Sequence, residues 1–133
     1  MMTHFDQLES TNCYLRQYHQ GMPQYAVVTA AYQTAGRGQR GNGWESEPGR
    51  NLLFSMLYYP PAGLPPSRQF QISKAVAVAV AETVDRLLDG YDHPEVCIKW
   101  PNDIYVGDRK IAGILIENAL QSSTRIAHSI IGV

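Results

Sequence analysis

Residues 96–117 read VCIKWPNDIYVGDRKIAGILIE, in which short apolar runs alternate with turn-forming residues. Runs rich in valine and isoleucine fit the pleated surface of a sheet, and a Gly-Asp pair between two such runs is typical of a hairpin. The stretch predicts three strands: Val96–Trp100, Asp103–Val106 and Lys110–Glu117. A further apolar run, Thr124–Val133, predicts a fourth, so the last third of the chain is predicted to be an antiparallel meander.

Two helices are predicted upstream of this meander. Ser10-Thr11-Asn12 supplies capping residues for a short helix that ends before Gly21. Ser67 is predicted to cap a longer helix that runs to about Asp89, because apolar side chains recur there at a helical spacing. The residues of this apolar stripe are Phe70, Ile72, Val76, Val80, Val84 and Leu87.

Two further strands and one long loop lie between the helices. Ala26–Gln33 and Asn51–Tyr59 are apolar runs bounded by chain-breaking residues, which predicts strands. Thr34–Arg50 contains five glycines and one proline, which predicts a long mobile loop. The element order predicts an α+β fold with a mixed, mainly antiparallel sheet and helices packed on one face, in one domain of 133 residues.

The composition argues against several classes of protein. With 11 basic and 12 acidic side chains the net charge is −1, so we expect no nucleic-acid partner. No apolar run approaches the roughly 20 residues of a membrane helix, so we expect no membrane partner either. Cys13 and Cys97 lie far apart in the sequence, which predicts two buried thiols in a reducing compartment and hence a cytoplasmic protein.

The glycine-rich segment Gln33–Trp44 is the first candidate site. Its glycines allow backbone N–H groups to turn toward an anion, and Arg37 and Arg40 add fixed positive charge. The indole ring of Trp44 could stack on a base. The segment matches neither a Walker A loop nor the dinucleotide-binding fingerprint. A flexible surface loop with solvated charges is the alternative interpretation.

Three further segments carry polar groups that could bind a ligand. Lys99–Asp103 places a lysine, an amide and a carboxylate around a proline, which suits a nucleotide and a metal ion but equally suits a tight strand connection. Lys110 precedes the small pair Ala112-Gly113, where a ligand could lie against the backbone, or it is a solvated strand end. Helix capping alone would also explain Ser10-Thr11-Asn12.

Together these segments resemble the signature of the biotin protein ligase family, also called biotin-[acetyl-CoA-carboxylase] ligases or holocarboxylase synthetases. Five blocks match in order and spacing along nearly the whole chain. They are Glu9–Asn12, Gln33–Gly41 with Trp44, Asn51-Leu52 with Ser55, Lys99–Asp103, and Lys110–Leu115 with Glu117. The resemblance implies a fold like that of class II aminoacyl-tRNA synthetases and biotin synthetases.

The resemblance implies an ATP-dependent ligase that uses biotin, ATP and Mg²⁺. The carboxylate of biotin would attack the α-phosphorus of ATP, giving biotinyl-5′-AMP and pyrophosphate. A lysine of a biotin carboxyl carrier protein, of the acetyl-CoA carboxylase type, would then displace AMP. The alternatives are a lipoate-protein ligase of the same superfamily and a truncated biotin-binding module without turnover.

The family pattern also implies which residues act on each substrate. The positions implied to bind biotin are Ser10, Thr11, Asn12, Gln33, Gly36, Arg37, Gly38, Gln39, Lys110, Gly113, Ile114 and Leu115. Those implied to bind ATP are Arg40, Trp44, Lys99, Asn102 and Asp103, and Asp103 is also implied to bind Mg²⁺. Lys110, between the biotin carboxylate and the α-phosphate, and Arg37, in a loop that closes over the adenylate, are implied to be catalytic.

Two positions of this loop depart from the family pattern. Many members carry a basic residue where this chain has Gln39 and Asn42, so the adenylate is expected to be retained less well unless Arg40 compensates.

The extent of the match gives further expectations. Residues 1–133 are expected to be the N-terminal portion of the catalytic domain, with neither a DNA-binding domain nor a C-terminal β-barrel domain. A terminal strand with an exposed edge would allow a homodimer to form.

Overall fold

A computed structural model of the protein describes residues 1–61 and 64–133. The chain divides into two compact units. The first unit consists of residues 1–66 and 115–133, and the second consists of residues 67–114. The helices are α1 (Thr11–Tyr18) and α2 (Phe70–Leu88). The strands are β1 (Met2–Leu8), β2 (Val27–Gln33), β3 (Gly36–Arg37), β4 (Gly43–Trp44), β5 (Leu53–Tyr58), β6 (Val96–Lys99), β7 (Asp103–Val106), β8 (Arg109–Gly113), β9 (Leu115–Ser122) and β10 (Arg125–Gly132).

The first unit is built on a five-stranded sheet with the order β1-β2-β5-β10-β9. β1 and β2 are parallel, and every other neighbouring pair is antiparallel. The predicted mixed, mainly antiparallel sheet is therefore confirmed. The predicted exposed edge of the terminal strand is wrong, because β10 pairs with β5 on one side and with β9 on the other.

The core of the first unit lies between α1 and the sheet. Leu15 of α1 packs in one buried cluster with Val28, Leu57 and Ile130, which come from three neighbouring strands. Burying a side chain of this size stabilises the fold by about 1.5–3 kcal/mol. This cluster fixes α1 against the sheet, and with it the polar residues at the start of the helix.

The second unit combines α2 with an antiparallel three-stranded sheet in the order β6-β7-β8. Ile104 of β7 is completely buried, and Ile72 and Ala77 are the buried residues of α2. Of the predicted apolar stripe, Ile72 is buried and Val76, Val80 and Val84 are half-buried. The prediction is wrong at the two ends of the stripe, because Phe70 and Leu87 are exposed.

Three predicted boundaries need correction. Ser67 does not cap the long helix, because it lies in a 3₁₀ turn, Pro66–Arg68, and Gln69 already has helical dihedral angles. Trp100 lies in a turn rather than in a strand, and the Trp100-Pro101 peptide bond is cis. The predicted loop Thr34–Arg50 contains the short hairpin of β3 and β4.

The antiparallel pairings of the predicted meander are confirmed for β6, β7 and β8 and for β9 with β10, but its predicted third strand is two strands. β8 ends at Gly113 and β9 begins at Leu115, and the two belong to different sheets. Asn102 binds the residue between them: its carbonyl accepts from the Ile114 N–H and its Nδ2 donates to the Ile114 carbonyl, both at 2.9 Å. The first bond continues the register in which Asp103 pairs with Gly113, and in the second the Asn102 side chain takes the place of a backbone N–H.

The sequence interpretation missed β1 and misjudged the burial of the thiols. β1 pairs in parallel with β2 over Met2–Leu8, where polar and apolar residues are mixed. Cys13 lies in α1 and Cys97 in β6, as predicted, and both are free thiols. Cys13 is only partly buried and Cys97 is exposed, so the prediction of two buried thiols is wrong.

Candidate functional site

Three consecutive polar residues at the start of α1 are almost completely buried. Ser10, Thr11 and Asn12 are each 3% exposed. Ser10 is the N-cap, with extended dihedral angles, and its hydroxyl accepts a hydrogen bond from the Cys13 N–H at 3.4 Å. This cap fixes where the helix begins, and it therefore fixes the positions of the next two side chains.

Thr11, Asn12, Gln33 and Ser55 form a hydrogen-bond network, called the polar network below. Gln33 Oε1 accepts from the Thr11 N–H at 2.7 Å and from the Thr11 hydroxyl at 3.1 Å. The hydroxyl oxygen of Ser55, which is completely buried on β5, lies 2.7 Å from Thr11 Oγ1 and 2.5 Å from Asn12 Oδ1, and its single proton can be donated to one of them. Buried polar groups of this kind are costly to leave unpaired, so the network is a rigid feature of the first unit.

Glu117 on β9 determines the direction of these hydrogen bonds. Its Oε2 accepts from Asn12 Nδ2 at 2.9 Å. An ionised carboxylate only accepts, so the Asn12 nitrogen must face Glu117 and its Oδ1 must face Ser55. The single proton of the Ser55 hydroxyl must then be donated to Asn12 Oδ1. The Thr11 hydroxyl lies between two acceptors, Ser55 Oγ at 2.7 Å and Gln33 Oε1 at 3.1 Å. Glu117 thus fixes the direction of the hydrogen bond between Ser55 and Asn12.

Gly132 and Leu115 enclose Asn12 from the sheet side. A Cβ atom built at Gly132 would overlap Asn12 Oδ1, so β10 can pass at this point only because the residue has no side chain. The Leu115 carbonyl accepts a long hydrogen bond from Asn12 Nδ2 at 3.5 Å. The Asn12 amide is therefore held on several sides.

Arg37, on β3, lies beside the same carboxylate. Its Nη1 is 3.3 Å from Glu117 Oε1 and 3.9 Å from Cys13 Sγ. Arg16 of α1 also contacts both groups, with Nη1 at 3.4 Å from Glu117 Oε1 and Nη2 at 3.3 Å from Cys13 Sγ. The hydrogen bond to Cys13 and then the charge of Glu117 raise the pKa of Arg37 above its usual value, so this guanidinium stays charged.

The glycine-rich segment forms a tight hairpin. A Cβ atom at Gly36 would overlap the Trp44 carbonyl and lie 3.3 Å from Gln33 Nε2, so this position requires glycine. The Gly38 N–H donates to the Asn42 carbonyl at 2.7 Å. Gln39 and Arg40 lie in the 3₁₀ turn Gln39–Gly41, where Arg40 has a φ of 57°. The hairpin therefore presents these two side chains at its turn rather than in the polar network.

The second unit carries a separate group of charged residues. Lys110 Nζ lies 2.7 Å from Asp103 Oδ1. Lys99 pairs with Asp103 across β6 and β7, and Lys110 pairs with Tyr105 across β7 and β8. Lys99 Nζ also lies 5.2 Å from the centre of the Tyr105 ring. Residues that alternate along β7 share a face, so Lys99, Asp103 and Lys110 lie on one face of this sheet.

The structure thus divides the predicted site residues into groups. In the first unit, Thr11, Asn12 and Gln33 meet in the polar network, and Arg37 joins it through Glu117. In the second unit, Lys99, Asp103 and Lys110 lie together. Asn102 and Gly113 flank this group, because Gly113 pairs with Asp103 and Asn102 binds Ile114.

Ser55 and Glu117 have central positions that the sequence interpretation did not give them. Both residues were among the matching blocks, and that match was the one signal that could have singled them out. Their partners Asn12 and Arg37 are distant in sequence, so these contacts appear only when the sheet is assembled.

The residues that the structure describes contain neither a candidate metal-binding cluster nor a membrane-spanning helix. Within 1–61 and 64–133, no group of three or more histidine, cysteine, aspartate or glutamate side chains could hold a metal ion. In the same part of the chain, no helix is long and apolar enough to cross a membrane.

A family model of biotin/lipoate A/B protein ligases matches residues 4–133. The bifunctional ligase/repressor BirA of Escherichia coli strain K12 is 40% identical over 110 residues, which are 83% of this chain and 32% of BirA. The chain therefore spans about a third of the length of this relative.

Solved structures show the same fold. Biotin protein ligase from Leishmania major, in complex with biotin, matches with a TM-score of 0.76 and 29% identity, over 98% of this chain and 54% of that one. Biotin protein ligase from Aquifex aeolicus, in complex with biotin and ATP, matches with a TM-score of 0.76 and 26% identity, over 99% of this chain and 51% of that one. The biotin synthetase-like fold is confirmed, and the chain belongs to the biotin/lipoate A/B protein ligase family.

Proposed function

We propose that this chain carries the substrate-activating part of an ATP-dependent biotin protein ligase. The reaction would join the carboxylate of biotin to the α-phosphorus of ATP, releasing pyrophosphate and forming biotinyl-5′-AMP. The amine of a lysine on a biotin carboxyl carrier protein, of the acetyl-CoA carboxylase type, would then attack the acyl carbon, and AMP would leave. The observation that carries the proposal is the buried polar network at the start of α1.

The polar network suits the ring system of biotin. The ureido group of biotin has two N–H donors and one carbonyl acceptor in a small apolar frame. Thr11, Asn12, Gln33 and Ser55 offer hydroxyl and amide groups that both donate and accept, in fixed positions. A few fixed polar groups within an apolar surround are the usual composition of a small-molecule site. We propose that Ser10 acts with them by holding the start of α1.

The glycine-rich hairpin suits an anionic group. Arg37 and Arg40 bring two guanidinium groups to a hairpin whose backbone can approach a ligand closely. We propose that Arg37 binds the phosphate of the adenylate and that the hairpin, with Gly36, Gly38 and Gln39, shields it from water. Trp44 is proposed to pack on adenine.

Lys110 is proposed to stabilise the charge that develops on the α-phosphate. Its ion pair with Asp103 holds the ammonium group in position, and a fixed donor aimed at developing charge typically lowers a barrier by about 3–4 kcal/mol. Lys99 and Asn102 are proposed to assist ATP binding. Gly113, Ile114 and Leu115 are proposed to line the biotin site.

A magnesium ion would fit this chemistry. Mg²⁺ is usually bound through one or two carboxylates together with the phosphates of the nucleotide, and Asp103 supplies one carboxylate. We propose that Asp103 contributes to holding the ion, which would neutralise phosphate charge when bound. The residues of the chain then bind and orient the two substrates.

Biotin-dependent exchange of labelled pyrophosphate into ATP tests the proposal, because it reports adenylate formation without a carrier protein. Exchange by the unsubstituted chain that depends on biotin and is lost in Lys110→Ala would support the enzyme. Binding of biotin without any exchange would instead indicate a binding module, and exchange that depends on lipoate would indicate a lipoate ligase.

Two further properties are proposed. The free thiols Cys13 and Cys97 suit a reducing compartment, so we propose that the protein acts in the cytoplasm. A homodimer formed through the five-stranded sheet would use β1 or β9, which lie at its edges. Size-exclusion chromatography with light scattering measures whether this dimer exists.

A further inference from the structure

Arg16 and Arg37 contact the same two acceptors. Glu117 Oε1 lies 3.4 Å from Arg16 Nη1 and 3.3 Å from Arg37 Nη1. Cys13 Sγ lies 3.3 Å from Arg16 Nη2 and 3.9 Å from Arg37 Nη1. If Arg37 moved away, Glu117 and Cys13 would each keep Arg16 as a partner.

Both guanidinium groups contact one oxygen of a single carboxylate, and the charge of Glu9 acts on Arg37 as well. The side chains of Arg16 and Arg37 are 54% and 43% exposed, and ion pairs at such positions are weak. Arg37 can therefore leave Glu117 at little cost, because Arg16 prevents the carboxylate from becoming unpaired.

Glu117 also connects this cluster to the polar network. Its Oε2 accepts from Asn12 Nδ2 at 2.9 Å while its Oε1 contacts the two arginines. The same carboxylate thus orients a residue of the proposed biotin site and holds the arginine of the glycine-rich hairpin.

We propose that Glu117 and Arg16 form an exchange site for Arg37. Glu117 holds Arg37 in a resting position and releases it to an anionic group of the ligand, while Arg16 remains as the counter-ion of Glu117. This inference rests on the proposed function, which supplies the anion as the phosphate of the adenylate. Glu117 and Arg16 are positioning residues, since they act on the ligand through Arg37.

The test compares two biotin derivatives by calorimetry on the full chain. Biotinol-5′-AMP carries a phosphodiester charge and cannot transfer an acyl group, and biotinamide is neutral. The readout is the affinity for the charged ligand divided by the affinity for the neutral one, so a general loss of the site cancels. Glu117→Gln removes the carboxylate that competes with the phosphate of the ligand for Arg37, so it should raise this affinity ratio about threefold. Arg16→Gln leaves Arg37 as the arginine that pairs with Glu117, so Arg37 is released less readily and the affinity ratio should fall about threefold.

Each substitution also changes the local electric field, and this effect on the affinity ratio must be distinguished from an exchange of partners by Arg37. Both substitutions are therefore repeated in a chain that also carries Arg37→Gln. In that double variant the proposal expects neither substitution to change the affinity ratio. Glu82→Gln, which removes one carboxylate from the ion pair with Arg86 on α2, is the matched control and should leave the ratio unchanged.

The outcomes distinguish this inference from the proposed function. If both ligands bind but the ratio does not change in Glu117→Gln and Arg16→Gln, or changes equally with Arg37→Gln present, the exchange site is overturned and the biotin site stands. If neither ligand binds the unsubstituted chain, the proposed function fails and the exchange site fails with it.

Discussion

Ser55 Oγ donates a hydrogen bond to Asn12 Oδ1 at 2.5 Å, and neither residue is more than 3% exposed. The bond joins β5 to the first turn of α1 inside the first unit. The Asn12 nitrogen donates to Glu117, so a buried serine with no predicted role holds the oxygen of a proposed substrate-binding amide that Glu117 orients.

Ser55→Ala should lower both stability and biotin affinity. The substitution leaves the buried Asn12 Oδ1 without its donor and removes the contact of the Thr11 hydroxyl, which costs about 1–3 kcal/mol in the free energy of unfolding. We expect biotin to bind about tenfold more weakly, which corresponds to ~1.4 kcal/mol. Urea unfolding and calorimetry measure the two effects.

The matched control for this change is Ser129→Ala. Ser129 is equally buried and donates to Asn118 Oδ1 at 2.6 Å, outside the polar network. It should lower stability and leave biotin affinity unchanged. Equal losses of affinity in both variants would show that the polar network has no special role in binding.

Gly132→Ala should displace Asn12, because the added methyl group would overlap Asn12 Oδ1. Overpacking of this kind costs about 1–3 kcal/mol of stability. Gly43→Ala is the control, since its Cβ would come no closer than 4.0 Å to the Gly36 carbonyl. Thermal unfolding of the two variants measures the difference, and an unchanged melting temperature in Gly132→Ala would contradict the close approach.

Lys110→Ala should lower the rate of biotin-dependent pyrophosphate exchange by about 10²–10³-fold, because one fixed donor would be lost from the proposed reacting centre. Lys110→Arg keeps the charge and should retain part of the rate. Lys74→Ala, which removes a lysine near the Phe70 ring on α2, should retain all of it. A rate in Lys110→Ala equal to that of Lys74→Ala would exclude Lys110 from the reaction.

Stability should fall as the pH falls below about 6.5, the usual pKa of histidine. Burial, and then the charge of His19, lower the pKa of His128 in the folded state. The unfolded state therefore binds more protons in this range, and protonation favours unfolding. The two rings lie 4.1 Å apart.

Urea unfolding between pH 5 and pH 8 measures this dependence. His128→Gln should weaken it. His19→Gln should weaken it less, because burial is the larger cause. A pH dependence in His128→Gln identical to that of the unsubstituted chain would assign the effect to other groups.

Local signals predicted much of the fold. The capping residues before Cys13 placed α1, and apolar runs placed β2 and β5 to within two residues. The division of Lys110–Glu117 into two strands was not predictable, since it depends on Asn102 binding Ile114 from another part of the chain. A period of two residues indicates a strand but does not indicate which sheet it joins.

The candidate site shows the same limit. Thr11, Asn12 and Gln33 were identified because they stand in matching blocks, and the polar network contains all three. Ser55 is a single polar residue in an apolar strand, and Glu117 is one of several polar residues in β9, patterns that solvent-facing positions would also produce. Their importance comes from partners far away in the sequence.

Calorimetric titration of biotin and of lipoate into the unsubstituted chain tests whether the polar network is a biotin site. Lipoate lacks the ureido group, and a buried site built to form hydrogen bonds rejects an analogue without those groups by about 10⁴-fold. We predict that biotin binds at one site and that lipoate binds at least ~10³-fold more weakly. Equal affinity for the two acids, or no binding of biotin, would contradict the proposed function.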